Sequence, residues 1–202
     1  TTDVEGFGQI TMVNAIWNVP NDPAGNVVVA DGVVKPEMFG RSYFADSCTD
    51  GSYNHEQYVK LPLLGKTFQW TVDLSEASCG CNAALYLTNL HQSTELSGCS
   101  DYYCDANSVC GVRCAEIDLQ EANKYAWHST LHVQDDGSGV GYGYGGGGSN
   151  WNNAREWTSE EYGPGARCID TNRPFQAAIS FPVDADGKLT GMSTTLTQEG
   201  SQ

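Results

Sequence analysis

The stretch Cys114-Ala115-Glu116-Ile117-Asp118-Leu119-Gln120-Glu121-Ala122-Asn123 constrains this chain more than any other. At its start Glu116 and Asp118 alternate with Ile117 and Leu119. A period of two marks a strand with one face in a core. Glu121 lies five residues beyond Glu116, an odd offset, so a regular strand turns it inward. One extra residue bulged out near Leu119-Gln120 returns it to the face of the other two carboxylates. The same letters also suit a solvated acidic strand face or the first turn of an amphipathic helix.

Composition favours the strand. Twenty-three Gly, ten Tyr and five Trp suit a β-rich, loop-rich protein better than a helical one. At 202 residues, one domain over 1–202 with a real hydrophobic core is the expectation. A net charge of −15 argues against nucleic acid, an anionic membrane or a polyanionic substrate. A neutral polysaccharide is compatible with it. The eight cysteines are an even set. Cys79-Gly80-Cys81 is too close for a zinc motif, and Cys110-x-x-x-Cys114 lacks a second matching pair, so disulfides in a secreted protein are the better reading. No apolar run approaches the ~20 residues that span a bilayer. No signal peptide is visible, and Thr1 reads as the start of a processed chain.

Along the chain, strand-like runs occupy Gln9 to Val19 and Asn26 to Val34, with a turn at Pro20-Asn21-Asp22-Pro23 and a bend at Asp31-Gly32. Phe68, Trp70 and Val72 alternate with Gln69, Thr71 and Asp73, a half-buried strand. Between Cys79 and Leu87, alternation puts Asn82, Ala84 and Tyr86 on one face. His128 and His132 are spaced i, i+4 but lack a His-Glu-x-x-His motif, so no metal site is assigned. The glycine tract from Gly137 lacks the Lys-Ser/Thr of a phosphate loop and reads as a flexible or hairpin-tip segment. Strands at Gln176 to Val183 and Lys188 to Leu196 flank Asp184-Ala185-Asp186-Gly187, a turn without the ligands of a calcium loop. Trp17 reads as a core or edge residue, whereas Trp127, Trp151 and Trp157 are candidates to stack on pyranose rings.

Three carboxylates on one strand face have a chemistry. A bulged strand can hold two of them roughly 5–5.5 Å apart, the spacing of glycosidases that retain anomeric configuration. Glu116 is then the nucleophile, Glu121 the acid/base, and Asp118 a residue that shares a proton with one of them.

The flanks carry a resemblance. Glu-Ile-Asp-Leu-Gln-Glu-Ala-Asn, with Cys114 before it and His132 beyond, resembles the catalytic strand Glu-x-Asp-x-x-Glu-Ala-Asn of glycoside hydrolase family 7, the cellobiohydrolases and endoglucanases. Family 16 β-glucanases share the carboxylate spacing but not usually the Ala-Asn ending. Cys79-Gly80-Cys81-Asn82-Ala83-Ala84-Leu85-Tyr86 is similar to that family's Cys-Gly-x-Asn-Gly-Ala-Leu-Tyr. Tyr103-Cys104-Asp105 resembles its Tyr-Cys-Asp-Ser, with Ala106 where the family has a Ser that supports the nucleophile. The likeness runs in order over roughly residues 26 to 200, with short connections and without the family's C-terminal portion, which supplies the partner of the cysteine at Cys79.

The resemblance implies an all-β fold, two antiparallel sheets in a jelly-roll-like β-sandwich with an open concave cleft. It implies a secreted, monomeric, endo-acting retaining hydrolase of β-1,4-glucan, with no cofactor. If the shared face of Asn82 and Tyr86 lines the cleft, Tyr86 bonds the nucleophile and Asn82 holds the neighbouring carboxylate; the resemblance places Asp105 near Asp118, as a substrate-side residue, and His132 on the leaving-group sugar. It also implies a Cys104–Cys114 bridge. A β-1,3 or mixed-linkage glucanase on the same scaffold and a catalytically silent glycan-binding module are the other readings.

Overall fold

A computed structural model describes residues 1–132, 144–145 and 157–200. Trp151 and most of the glycine tract lie outside the described residues. The chain divides into two compact units, one holding Thr1–Leu61 and Thr88–Glu116, the other Pro62–Leu87, Ile117–His132 and the described part of Tyr142–Gln202.

The first unit holds strands β1 (Thr2–Val4), β2 (Gly8–Asn14), β3 (Trp17–Val19), β4 (Asp22–Pro23), β5 (Val27–Ala30), β6 (Val33–Pro36) and β7 (Ser42–Ala45). β2 lies between β1 and β7 in an antiparallel sheet. The expected run from Asn26 to Val34 is two strands, not one. Asp31 and Gly32 both take positive φ (52° and 76°), the twist that closes a two-residue hairpin, so Ala30 pairs with Val33. The run from Gln9 to Val19 is likewise divided into β2 and β3.

Tyr43 and Ala45, alternate residues of β7, pack inward with Ala15, Tyr58, Cys99 and Tyr103. Tyr43 donates to Asp101 Oδ2 at 2.6 Å. Burial first, and the Asp101 charge second, push the Tyr43 phenol far above its ordinary range. The cysteine-dense loop is bridged twice, Cys99 to Cys110 and Cys104 to Cys114. The second pair is the one the family resemblance implies. Cys48, Cys79, Cys81 and Cys168 are free thiols, so the expectation of a fully paired set holds for only four of the eight.

The second unit holds β8 (Thr67–Val72), β9 (Ala83–Thr88), β10 (Glu116–Ala122, entering from the first unit), β11 (Trp127–His132), β12 (Tyr144–Gly145), β13 (Tyr162–Gly163), β14 (Ile169–Asp170), β15 (Phe175–Ser180) and β16 (Ser193–Thr197). One sheet has the order β12-β11-β10-β9, another β16-β15-β8. In the latter, Phe175, Ala177 and Ile179 lie opposite Val72, Trp70 and Phe68, setting the small Ala177 against the large Trp70. The sequence places these strands correctly, with edges displaced to Phe175–Ser180 and Ser193–Thr197. The turn at Asp184 is as expected: its Oδ1 accepts from the Asp186 and Lys188 amides.

The two sheets pack face to face. Leu119 of β10 is fully buried with Ile179 and Phe181, while Ala122 and Trp127 join Val72, Phe175 and Ala177. Burying a Leu of this kind contributes about 2 kcal/mol. This is the all-β, antiparallel, layered architecture that the alternating pattern implies. No helix among the described residues is long and apolar enough to cross a membrane.

Candidate active site

Strand β10 shows the irregularity its sequence requires. Ile117 and Leu119 face the apolar cluster that includes Leu85 and Leu87. Gln120, the next residue, also points inward, where its Oε1 accepts from Trp70 Nε1 at 2.9 Å. Two consecutive inward residues are the local signature of a bulge. Ala122 is again in the core, so Glu121 faces outward.

Glu116 sits at the end of the bridged loop, 6% exposed. Its Oε2 accepts from the backbone N–H of Ala106 at 3.0 Å. The backbone of Ala106 thus supplies a donor at the position where the family has a serine. No side-chain signal in the sequence points to it.

Glu121 has different partners. Asn82 Nδ2 and Tyr86 Oη both donate to its Oε1 at 3.0 Å. Tyr86 lies on β9 and Asn82 directly before it; the Tyr86 hydroxyl donates to Glu121, whereas the sequence reading has it bond the nucleophile Glu116. The outward step at the bulge is what brings Glu121 beside β9. Glu121 also lines a cavity of about 230 Å³ with Asn82, Cys81, Asn123 and His128. The Asn123 N–H to Ala126 O bond closes the hairpin that brings His128 there.

His132 is 6% and Asp118 3% exposed, and Nε2 of the one lies 3.0 Å from Oδ2 of the other. The pair fixes the orientation of the His132 ring and of the Asp118 carboxyl in a buried setting. Four residues of strand separate His128 from His132 by about 13 Å, so the two imidazoles cannot share one metal ion.

Other expected residues are placed elsewhere. Trp127 is 2% exposed, packed between Trp70, Tyr162 and Phe175, and offers no face to a sugar. Trp157 packs partly against the same core. Asp105 is 3% exposed and its Oδ1 accepts from the Val109 amide at 3.0 Å, so the carboxylate serves its own loop rather than a substrate.

No protein-family model matches the chain. Individual proteins do. Endoglucanase 1 of Pyricularia oryzae is 29% identical over 174 residues, 71% of this chain and 41% of that protein. Endoglucanase EG-1 of Hypocrea jecorina is 30% identical over 185 residues, 80% of this chain and 37% of that protein. The structure of a GH7 family cellobiohydrolase from Daphnia pulex aligns with a TM-score of 0.53 at 21% identity, covering 87% of this chain and 51% of that one. At that identity the likeness is one of fold alone. The chain spans about two fifths of the length of the curated relatives it matches. In sequence and in fold, the chain resembles the glycoside hydrolase family 7 enzymes, and its curated relatives are endoglucanases.

Proposed function

We propose that this chain is a secreted, endo-acting β-1,4-glucan hydrolase that retains anomeric configuration by double displacement. The observation that carries the reading is the division of labour along β10. Glu116 is held as an acceptor by a backbone amide, while among the described residues Asn82 and Tyr86 hold Glu121 through its Oε1.

In the first step a Glu116 oxygen forms a bond to the anomeric carbon as the glycosidic C–O bond breaks. The departing oxygen takes the proton of Glu121. With Oε1 occupied by two donors, Oε2 of Glu121, to which none of the described residues donates, is the oxygen that carries that proton. In the second step the Glu121 carboxylate removes a proton from water, whose oxygen displaces Glu116 and releases the sugar with retained configuration. Asp118, held by His132, is the proton-sharing carboxyl between the two glutamates on β10. The Emericella nidulans relative named endo-β-1,4-glucanase, 27% identical over 198 residues, supports a β-1,4-glucan as substrate, and the two bridges support an oxidising, extracellular setting.

The test is reducing-sugar release from cellulose derivatives, mixed-linkage glucan, laminarin and xylan by wild type and Glu116→Gln. Activity on a β-1,4-glucan that falls by about 10⁴-fold in the variant is expected. Activity that survives Glu116→Gln removes this nucleophile assignment. Release from laminarin alone moves the substrate to a β-1,3-glucan, and glycan binding without release makes the chain a binding module.

A further inference from the structure

Gln120 is a polar residue in the interior, 5% exposed, in a strand whose other inward residues are Ile117, Leu119 and Ala122. It is tolerated there because both ends of its amide are used. Oε1 accepts from Trp70 Nε1 at 2.9 Å, and Nε2 donates to the Ala83 carbonyl at 2.9 Å. Replacing it with a hydrocarbon leaves an indole N–H and a β9 carbonyl without this partner.

We propose that Gln120 is a positioning residue for Glu121, an inference that rests on Glu121 being the acid/base. It acts through two links. By anchoring residue 120 inward, directly after the inward Leu119, it holds the bulge that turns Glu121 outward. By holding the Ala83 carbonyl, it fixes the backbone one residue beyond Asn82, whose Nδ2 donates to Glu121 at 3.0 Å. The same side chain therefore sets the direction of the acid/base and the place of one of its donors. A displacement of about 1 Å at a catalytic group costs on the order of 10²-fold in rate.

The experiment compares kcat/KM of wild type, Gln120→Met, Trp70→Phe and Glu121→Gln on two aryl β-cellobiosides. A phenyl leaving group needs a proton from the acid, whereas a 2,4-dinitrophenyl group departs as a stable anion and needs none. Gln120→Met keeps the side-chain volume and removes both bonds. It is expected to lose roughly 10–100-fold on the phenyl substrate and less than about 3-fold on the dinitrophenyl one. Trp70→Phe, which removes one of the two bonds, is expected to show the same pattern at smaller size, and it carries the test if Gln120→Met does not fold. Equal losses on both substrates, or none on either, overturn the inference, provided Glu121→Gln itself shows the leaving-group dependence. If Glu121→Gln shows no such dependence, the acid/base assignment fails first.

Discussion

Two donors converge on one oxygen of Glu121, and each is removable alone. Tyr86→Phe deletes a 3.0 Å bond while keeping the ring, and is expected to lower kcat about 10-fold, the equivalent of ~1.4 kcal/mol, with KM little changed. Steady-state kinetics on a soluble β-glucan measures it, and unchanged kcat removes Tyr86 from the site. At this scale alternation sorted Glu116 and Asp118 from Ile117 and Leu119, because a period of two is a property of local backbone, whereas Glu121 needed the added bulge. Residue type offered Trp127 to a sugar, and the family resemblance put Asp105 near Asp118; the structure gives Trp127 to the core and Asp105 a bond to the Val109 amide. An aromatic ring serves a sugar or a core equally well by type, and only the packing of Trp70, Tyr162 and Phe175 around Trp127 decides between them.

The bridged loop before β10 is the element on which Glu116 depends. Cys104–Cys114 closes a segment of ten residues, worth about 3 kcal/mol in the chain-entropy model, and the segment contains the Ala106 amide that holds Glu116. The double variant Cys104→Ser/Cys114→Ser is expected to lose that stability in denaturant titration and to lose kcat more than binding. A variant as stable and active as wild type contradicts this. In β10 itself, Leu119→Ala empties a fully buried position and is expected to cost 2–5 kcal/mol, about the range for such cavities. The bulge at Leu119-Gln120 was legible because three acidic residues at offsets of two and five fit one face only with an extra residue between them. The hairpin at Asp31-Gly32 was legible only as a bend, since the pairing of Ala30 with Val33 is a contact between two strands rather than a property of either.

Over the whole molecule, charge is the dominant surface property. A net charge of −15 repels carboxymethyl cellulose over a Debye length of about 10 Å at 0.1 M salt. Added salt is therefore expected to raise the rate on carboxymethyl cellulose and to leave that on uncharged hydroxyethyl cellulose flat. A carboxyl remote from the catalytic strand gives the pH response of stability. Asp170 accepts from the Gly165 and Asn172 amides and from the Asn172 side chain, which holds it below the usual carboxylate range, the Gly165 bond foremost. Its native form binds fewer protons than its unfolded form. Its stabilisation is thus present above a pH of about 4 and lost as pH falls through the lower native value. Asp170→Ala is expected to cost about 1 kcal/mol at neutral pH, with the gap to wild type closing on acidification. A gap that persists at low pH contradicts the assignment.

By itself the sequence determined the all-β class, the run of β8, β9 and β10 and the three carboxylates on one strand face, because these follow from periodicity, composition and local sterics. Tertiary structure alone decided that Tyr86 and Asn82 meet on Glu121, that the Ala106 amide holds Glu116, that Trp127 is core, and that four cysteines pair while four do not. Each of these is a meeting of residues distant in the chain, or of a backbone group that carries no letter of its own. Which of several chemically adequate partners lies within about 3 Å is settled only when the strands and loops have packed.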